Sequence, residues 1–340
     1  MIEFNYFFSG GNYLYLPTIN NPKVILAVGD KNMVQNSFNL YNPFSVKAKL
    51  LKRFFKFLFI NDFEFSKKFG NYKRQQKSEF IQYLETKLAT KLISSVYIAT
   101  SKDTVVLQLQ SAKQIVGYLK YPLNKTGVKH LLNEKKAIEI LSQNNIVVPY
   151  LLFDKYKEKQ FLILKKVEGK IANVKNKDLK FLLNKLKKSK YFTLKKHPRI
   201  IKLKRQLENK NLLKLSNLLD SIVNASWKSY CEVYEHGDFA PWNIFQSNNG
   251  CVPFDFEYFE DKGLEYMDII NYYFQTGKLL HKYSFKNLLD FICAKAKLSK
   301  NKSLIQIFLI NEILTCNQEH RPYEFESKFL AYLSKKNLEY

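Results

Sequence analysis

Acidic residues are the scarce class in this chain. Asp and Glu total 30 against 55 Lys and Arg in 340 residues, a formal net charge of +25. A balance this basic favours anionic partners: nucleotide phosphates, nucleic acid or a membrane surface. Lys far outnumbers Arg, and the richness in Lys, Asn, Ile, Phe and Tyr is also what an AT-biased genome encodes, so charge alone names no partner. Cysteine is sparse too. Cys231, Cys251, Cys293 and Cys316 lie far apart and none forms a CxxC pair, which argues against a zinc site and a disulfide framework and fits a reducing cytoplasm. No uninterrupted apolar run approaches the roughly 20 residues of a membrane-spanning helix. The first residues, MIEFNYFFSGGNYLYLP, lack a basic leader and carry Glu3, so they read as part of the fold rather than as a signal peptide. There is no internal repeat and no long low-complexity tract.

What is present is a core. The hydrophobic fraction is 46%, and the length suggests about two domains. Three textures divide the chain. Residues 1–90 mix strand-like runs such as VILAV with a basic apolar stretch, LLKRFFKFLFI at 50–60, whose spacing suits a helix packed on its own domain or lying on a membrane. This region reads as an N-terminal α/β extension. Residues 91–165 read as strands at 94–100, 104–110, 114–122 and 160–169 around a helix at 126–141, with a turn at Ser101-Lys102-Asp103. Residues 166–340 read as mainly helical, with leucines at helical spacing through the lysine-rich segment 176–205. Two short β-like runs, EVYEHGDF and CVPFDFEYF, interrupt that part. The expected fold class is α+β: a small strand-rich lobe followed by a larger helical one.

The chemistry concentrates at HGDFAPWNIF (236–245) and FDFE (254–257). The first places Asp238 and Asn243 on one short loop, and the second places Asp255 at the end of an apolar run. Two carboxylates and an amide oxygen make the oxygen-rich set that magnesium prefers, with phosphates and water completing its octahedron. A carboxylate free of metal can accept a proton from an attacking hydroxyl. Pro241 and Trp242 stiffen the loop. In the 114–122 strand, alternation puts Val116, Tyr118 and Lys120 on one face. Glu134, flanked by Leu131 and Ile138, points to the packed side of its helix, where a carboxylate wants a cation.

The spacing His-x-Asp-x4-Asn resembles the catalytic loop of protein kinases. With Gly237 and the Pro-Trp-Asn ending it is more similar to the aminoglycoside phosphotransferase and choline kinase branch, and FDFEYFE resembles the D-x-E run of that branch. The resemblance covers about residues 93–275 and implies a bilobal, protein-kinase-like fold using ATP and Mg²⁺. It implies Asp238 as the catalytic base, Asn243 and Asp255 as metal ligands, and His236, Glu257 and Asp268 as supporting residues. It further implies Lys120 on the α- and β-phosphates, Glu134 as its partner, and backbone groups at Lys165, Lys166 and Val167 beside adenine. There are two departures from the family pattern. The turn TSKDT contains no glycine to let backbone amides approach phosphates, and Tyr118 stands where a small residue usually meets adenine.

The implied activity is phosphoryl transfer from ATP to a hydroxyl of a small molecule: an amino alcohol, a sugar or a glycan. Similarity to phosphotransferases associated with bacterial surface polysaccharides adds a lipid-linked glycan, and the basic charge adds peripheral attachment to an anionic inner membrane face. The rival reading is a catalytically weak kinase-like binding or regulatory protein. Nucleic acid is disfavoured as a partner because charge is its only support.

Overall fold

The computed structural model describes residues 4–40, 46–61, 71–98, 103–171, 174–247, 250–298 and 302–335. The chain forms two compact units, one of residues 1–139 and 148–167, the other of 140–147 and 168–340. The fold class is α+β, as the texture of the sequence implies.

The N-terminal unit is built on one eight-stranded sheet in the order β3-β1-β2-β4-β5-β6-β8-β7. Its strands are β1 (Ser9–Leu16), β2 (Val24–Val28), β3 (Asn71–Lys77), β4 (Ile93–Ile98), β5 (Thr104–Gln110), β6 (Ile115–Pro122), β7 (Leu152–Tyr156) and β8 (Lys159–Lys165). All neighbours are antiparallel. Strands from the first 90 residues therefore join those that follow in one ladder, through Val24↔Tyr97 and Ile25↔Val96. VILAV is buried at every position, because both faces of this central strand are covered. Ile25 and Ala27 enter an aromatic core with Phe7, Tyr13, Phe80 and Tyr121. Val24, Leu26 and Val28 pack on the other face with Val34, Phe38 and Phe59. Helices α1 (Lys31–Ser37) and α2 (Val46–Asn61) supply that second layer, and α3 (Glu79–Leu88) supplies Phe80, Ile81 and Leu84 to the first. Helix α4 (Lys125–Gln143) follows β6 directly.

The C-terminal unit is mainly helical: α5 (Asn176–Lys185), α6 (Pro198–Asn209), α7 (Leu213–Asn224), α8 (Met267–Gln275), α9 (Phe285–Ala296), α10 (Lys302–Gln318) and α11 (Glu324–Lys335). Helix α10 is apolar almost all round, with Leu304, Ile305, Ile307, Phe308, Leu309, Ile310, Ile313 and Leu314 buried. Such a helix sits in the middle of its unit. Two three-stranded sheets accompany the helices, β10-β11-β14 and β13-β12-β9. These strands are β9 (Lys170–Ile171), β10 (Lys187–Thr193), β11 (Ser229–Glu235), β12 (Ile244–Ser247), β13 (Gly250–Pro253) and β14 (Glu260–Leu264).

Strand β10 corrects the helical reading of 176–205. The leucine spacing of α5 stops at Leu186, and KKSKYFT pairs antiparallel with β11 through Phe192↔Tyr230. Lysines on an edge strand are the usual guard against further strand pairing, so the lysine richness marks an edge rather than a helix surface. The two β-like runs are also shorter than their apolar patterns. One stops at Glu235, before Gly237 at φ +83°, and the other at Pro253, before Asp255 at φ +70°. Each run thus ends just before the backbone turns to positive φ.

Candidate active site

The loop after β11 is held by a carboxylate. Asp268, in the first turn of α8, accepts backbone N–H bonds from His236 (2.9 Å) and Gly237 (3.1 Å). Burial and the charge of Glu235 push its carboxyl above the ordinary carboxylate range, while the two N–H donors and Arg199 oppose that shift. Gly237 has no substitute here. Its φ is +83°, and a Cβ would stand 2.1 Å from the Tyr258 carbonyl oxygen. The chain can thus turn back on itself only where a side chain is absent.

His236 ties the two motif segments together. Its Nδ1 accepts from the Asp238 N–H at 3.3 Å, which leaves Nε2 to carry the proton and donate to the Phe254 carbonyl at 2.9 Å. The ring lies between Phe239 and Phe256, with centroids at 5.6 and 4.5 Å. A second tie runs from the Phe254 N–H to the Asn243 carbonyl at 3.0 Å. Both contacts fix the residue immediately before Asp255.

Within the loop, one turn at Pro241–Asn243 brings Asn243 back onto Asp238. Its Nδ2 donates to the Asp238 backbone carbonyl (2.9 Å) and to Asp238 Oδ2 (2.8 Å). With the amide nitrogen so engaged, Oδ1 is the end left to face a ligand. The Asp238 carboxyl is pushed up to about 6. Burial is the main cause and the Asp255 charge the second, with Glu257 adding a little. The Asn243 bond and Arg321 pull the other way. Asp255 therefore lies close enough to act on Asp238, and its strained backbone is of the kind that persists where surrounding contacts over-determine it. Glu257 sits half-buried in the following turn.

On the N-terminal unit, Lys120 of β6 meets Glu134 of α4 at 2.6 Å, with side-chain exposures of 10% and 1%. An ion pair this dry is held by mutual need, since either charge alone would be costly there. Lys165 and Lys166 are exposed and Val167 is half-buried at the end of β8, where the first unit gives way to the second. Of the glycine-free turn TSKDT, residues 100–102 lie outside the described residues. Asp103 accepts from the Leu123 N–H at 2.7 Å and from Asn124 Nδ2 at 2.6 Å.

Two sets of residues escaped the sequence reading. Arg199 of α6 is buried against Glu235, with contacts of 3.2 and 3.3 Å, and also reaches Asn311 at 2.8 Å. Glu235 in turn accepts from the Leu264 N–H at 3.0 Å. This network lies directly upstream of His236, and only its three-dimensional pairing reveals it. The second is Glu312, pushed up to about 8 by burial and then by the Asp238 charge, with Arg321 and Lys278 opposing. A lone acid in the apolar run LIQIFLINEIL was the signal available for it.

No known family model matches this chain, and no curated protein does so either. Solved structures with a similar fold do exist. One is an aminoglycoside phosphotransferase of Streptomyces rimosus, 15% identical, covering 70% of this chain and 98% of its own, with a TM-score of 0.47. Another is an ethanolamine kinase of Plasmodium vivax, 14% identical over 90% of this chain and 94% of its own, TM-score 0.43. A third is a choline kinase of Cryptosporidium parvum, 13% identical over 73% and 89%, TM-score 0.40. At such TM-scores the functional reading has to rest on this chain's own residues.

Proposed function

We propose that this chain is an ATP- and Mg²⁺-dependent phosphotransferase with a small-molecule hydroxyl as acceptor, built on a kinase-like fold. The observation that carries the reading is the loop at 236–243, where a half-buried carboxylate is held by an asparagine amide whose oxygen remains available. Asp238 takes the proton of the acceptor hydroxyl as its oxygen attacks the γ-phosphorus and ADP leaves. A carboxyl raised to about 6 is a better proton acceptor than an ordinary aspartate and is still ionised at neutral pH.

The donor set fits magnesium: a half-buried Asp255 carboxylate and an Asn243 amide oxygen are hard oxygen ligands, with both Asn243 donors already used on Asp238. The ion, when bound, neutralises charge on the transferred phosphoryl group. Lys120 holds the α- and β-phosphates, and Glu134 keeps its ammonium charged and aimed. Backbone groups at Lys165–Val167 receive the adenine. His236 and Asp268 position the loop, and Glu257 adds a little to the negative field around Asp238.

The acceptor is an amino alcohol, sugar or glycan. The test is ATP consumption followed by phosphorus NMR against a panel of amino alcohols, sugars, aminoglycosides and lipid-linked glycans. Asp238→Asn is expected to slow transfer about 10³-fold with no loss of fold. Turnover unchanged by that substitution contradicts the mechanism.

A further inference from the structure

Helix α2 carries two apolar faces and has a use inside the protein for only one. Phe59 is buried, and Phe55 and Ile60 join it against Leu14, Leu26, Val34 and Phe38. On the outer side Leu50 is 58% exposed, Leu51 52%, Phe54 51% and Phe57 65%. Leu50, Phe54 and Phe57 follow the i, i+4, i+7 spacing of a single helical stripe, with Leu51 beside it. Scattered exposed leucines are ordinary, but four large apolar side chains along one short helix make a patch that marks an interaction site.

The helix itself is charged with one sign. Its sequence, VKAKLLKRFFKFLFIN, contains no Asp or Glu, and its described side chains include Lys49, Lys52, Arg53 and Lys56. Crowding of like charge is felt within it: burial and the neighbouring Lys56 hold the Lys52 ammonium down to about 8. A second copy of this chain would bring the same cations face to face. An anionic bilayer offers both requirements at once, an apolar boundary layer and a negative headgroup plane.

We infer that α2 is a peripheral membrane-docking helix, in which Leu50, Leu51, Phe54 and Phe57 enter the headgroup boundary of an anionic bilayer while the flanking lysines and Arg53 meet its phosphates. The attachment lies on the surface, since no helix among the described residues is long and apolar enough to cross a membrane. It is independent of the catalytic reading, because none of these residues belongs to that site.

The test is co-sedimentation of the full chain with vesicles of phosphatidylcholine alone and of phosphatidylcholine mixed with phosphatidylglycerol. Binding is expected to the mixed vesicles, weakened by salt. Each of Phe54→Ser and Phe57→Ser should lower the partition coefficient by about tenfold, from the apolar area no longer inserted. Lys49→Gln and Arg53→Gln should each lower it about fivefold. All four positions are exposed, and unchanged thermal unfolding verifies that the fold survives. In Phe57→Trp the added indole emission should shift to the blue with mixed vesicles. Absence of binding overturns the inference. So does binding that both serine variants retain in full, which would be adsorption by net charge alone. A wild-type dimer in light scattering that those variants dissociate, without vesicle binding, would instead make this face a self-interface and also overturn it.

Discussion

Two buried acids do comparable work in different ways. Glu134 in the N-terminal unit faces a side-chain cation, Lys120, at 2.6 Å. Asp268 in the C-terminal unit is met by two backbone N–H groups and has Arg199 nearby. The first arrangement holds a charge, and the second holds a piece of backbone. That difference matches what each unit supplies to the proposed chemistry: a held ammonium for phosphates in one, a fixed loop geometry around Asp238 in the other. It also predicts different failures when each acid is removed.

The largest effect is expected from Glu134→Ala, which breaks the dry ion pair with Lys120 and should cost about 4 kcal/mol of stability, read by chemical denaturation. The comparison sharpens with Lys120→Met/Glu134→Leu. Removing both charges in favour of apolar groups should restore most of that stability while leaving phosphoryl transfer abolished. Recovery of activity in the double variant would deny Lys120 its role. Next comes Asp268→Ala, which leaves the His236 and Gly237 N–H groups unpaired in the interior, at about 3 kcal/mol. Because the loop itself loosens, activity should fall even at temperatures where the variant stays folded. If its kinetics match the wild type, the loop does not depend on this acid.

A pH-dependent effect concerns Glu312. Burial and the Asp238 charge push its folded carboxyl up to about 8 from an ordinary 4.5, so between those values the folded chain keeps a proton that the unfolded chain has released. Stability contributed by that proton is present at low pH and is lost as pH rises from the lower value through the upper one. Glu312→Gln removes the dependence. Its melting temperature relative to wild type should climb across that interval, and a constant difference would show that Glu312 is not held in this way.

How much of this was legible beforehand varied with the range of the interaction. Glu134 could be assigned to the packed side of its helix because Leu131 and Ile138 flank it within one turn. HGDFAPWNIF and FDFE were legible because several polar and conformationally constrained residues crowd into a short stretch. The polar edge strand NYKRQQK of β3 carried no alternation to read, since an edge strand with exposed side chains buries little on either face. β10 was mistaken for helix for the same reason. The Arg199–Glu235 pair joins residues 36 positions apart, and no local pattern announces a partner at that distance.

Magnesium dependence of nucleotide affinity tests the central claim most directly, because it requires no knowledge of the acceptor. Calorimetric titration of the wild-type chain with ATP is predicted to show binding that Mg²⁺ tightens, and Asp255→Ala is predicted to bind ATP with the magnesium effect lost. A wild-type chain that does not bind ATP, or a magnesium effect that survives Asp255→Ala unchanged, would contradict the account.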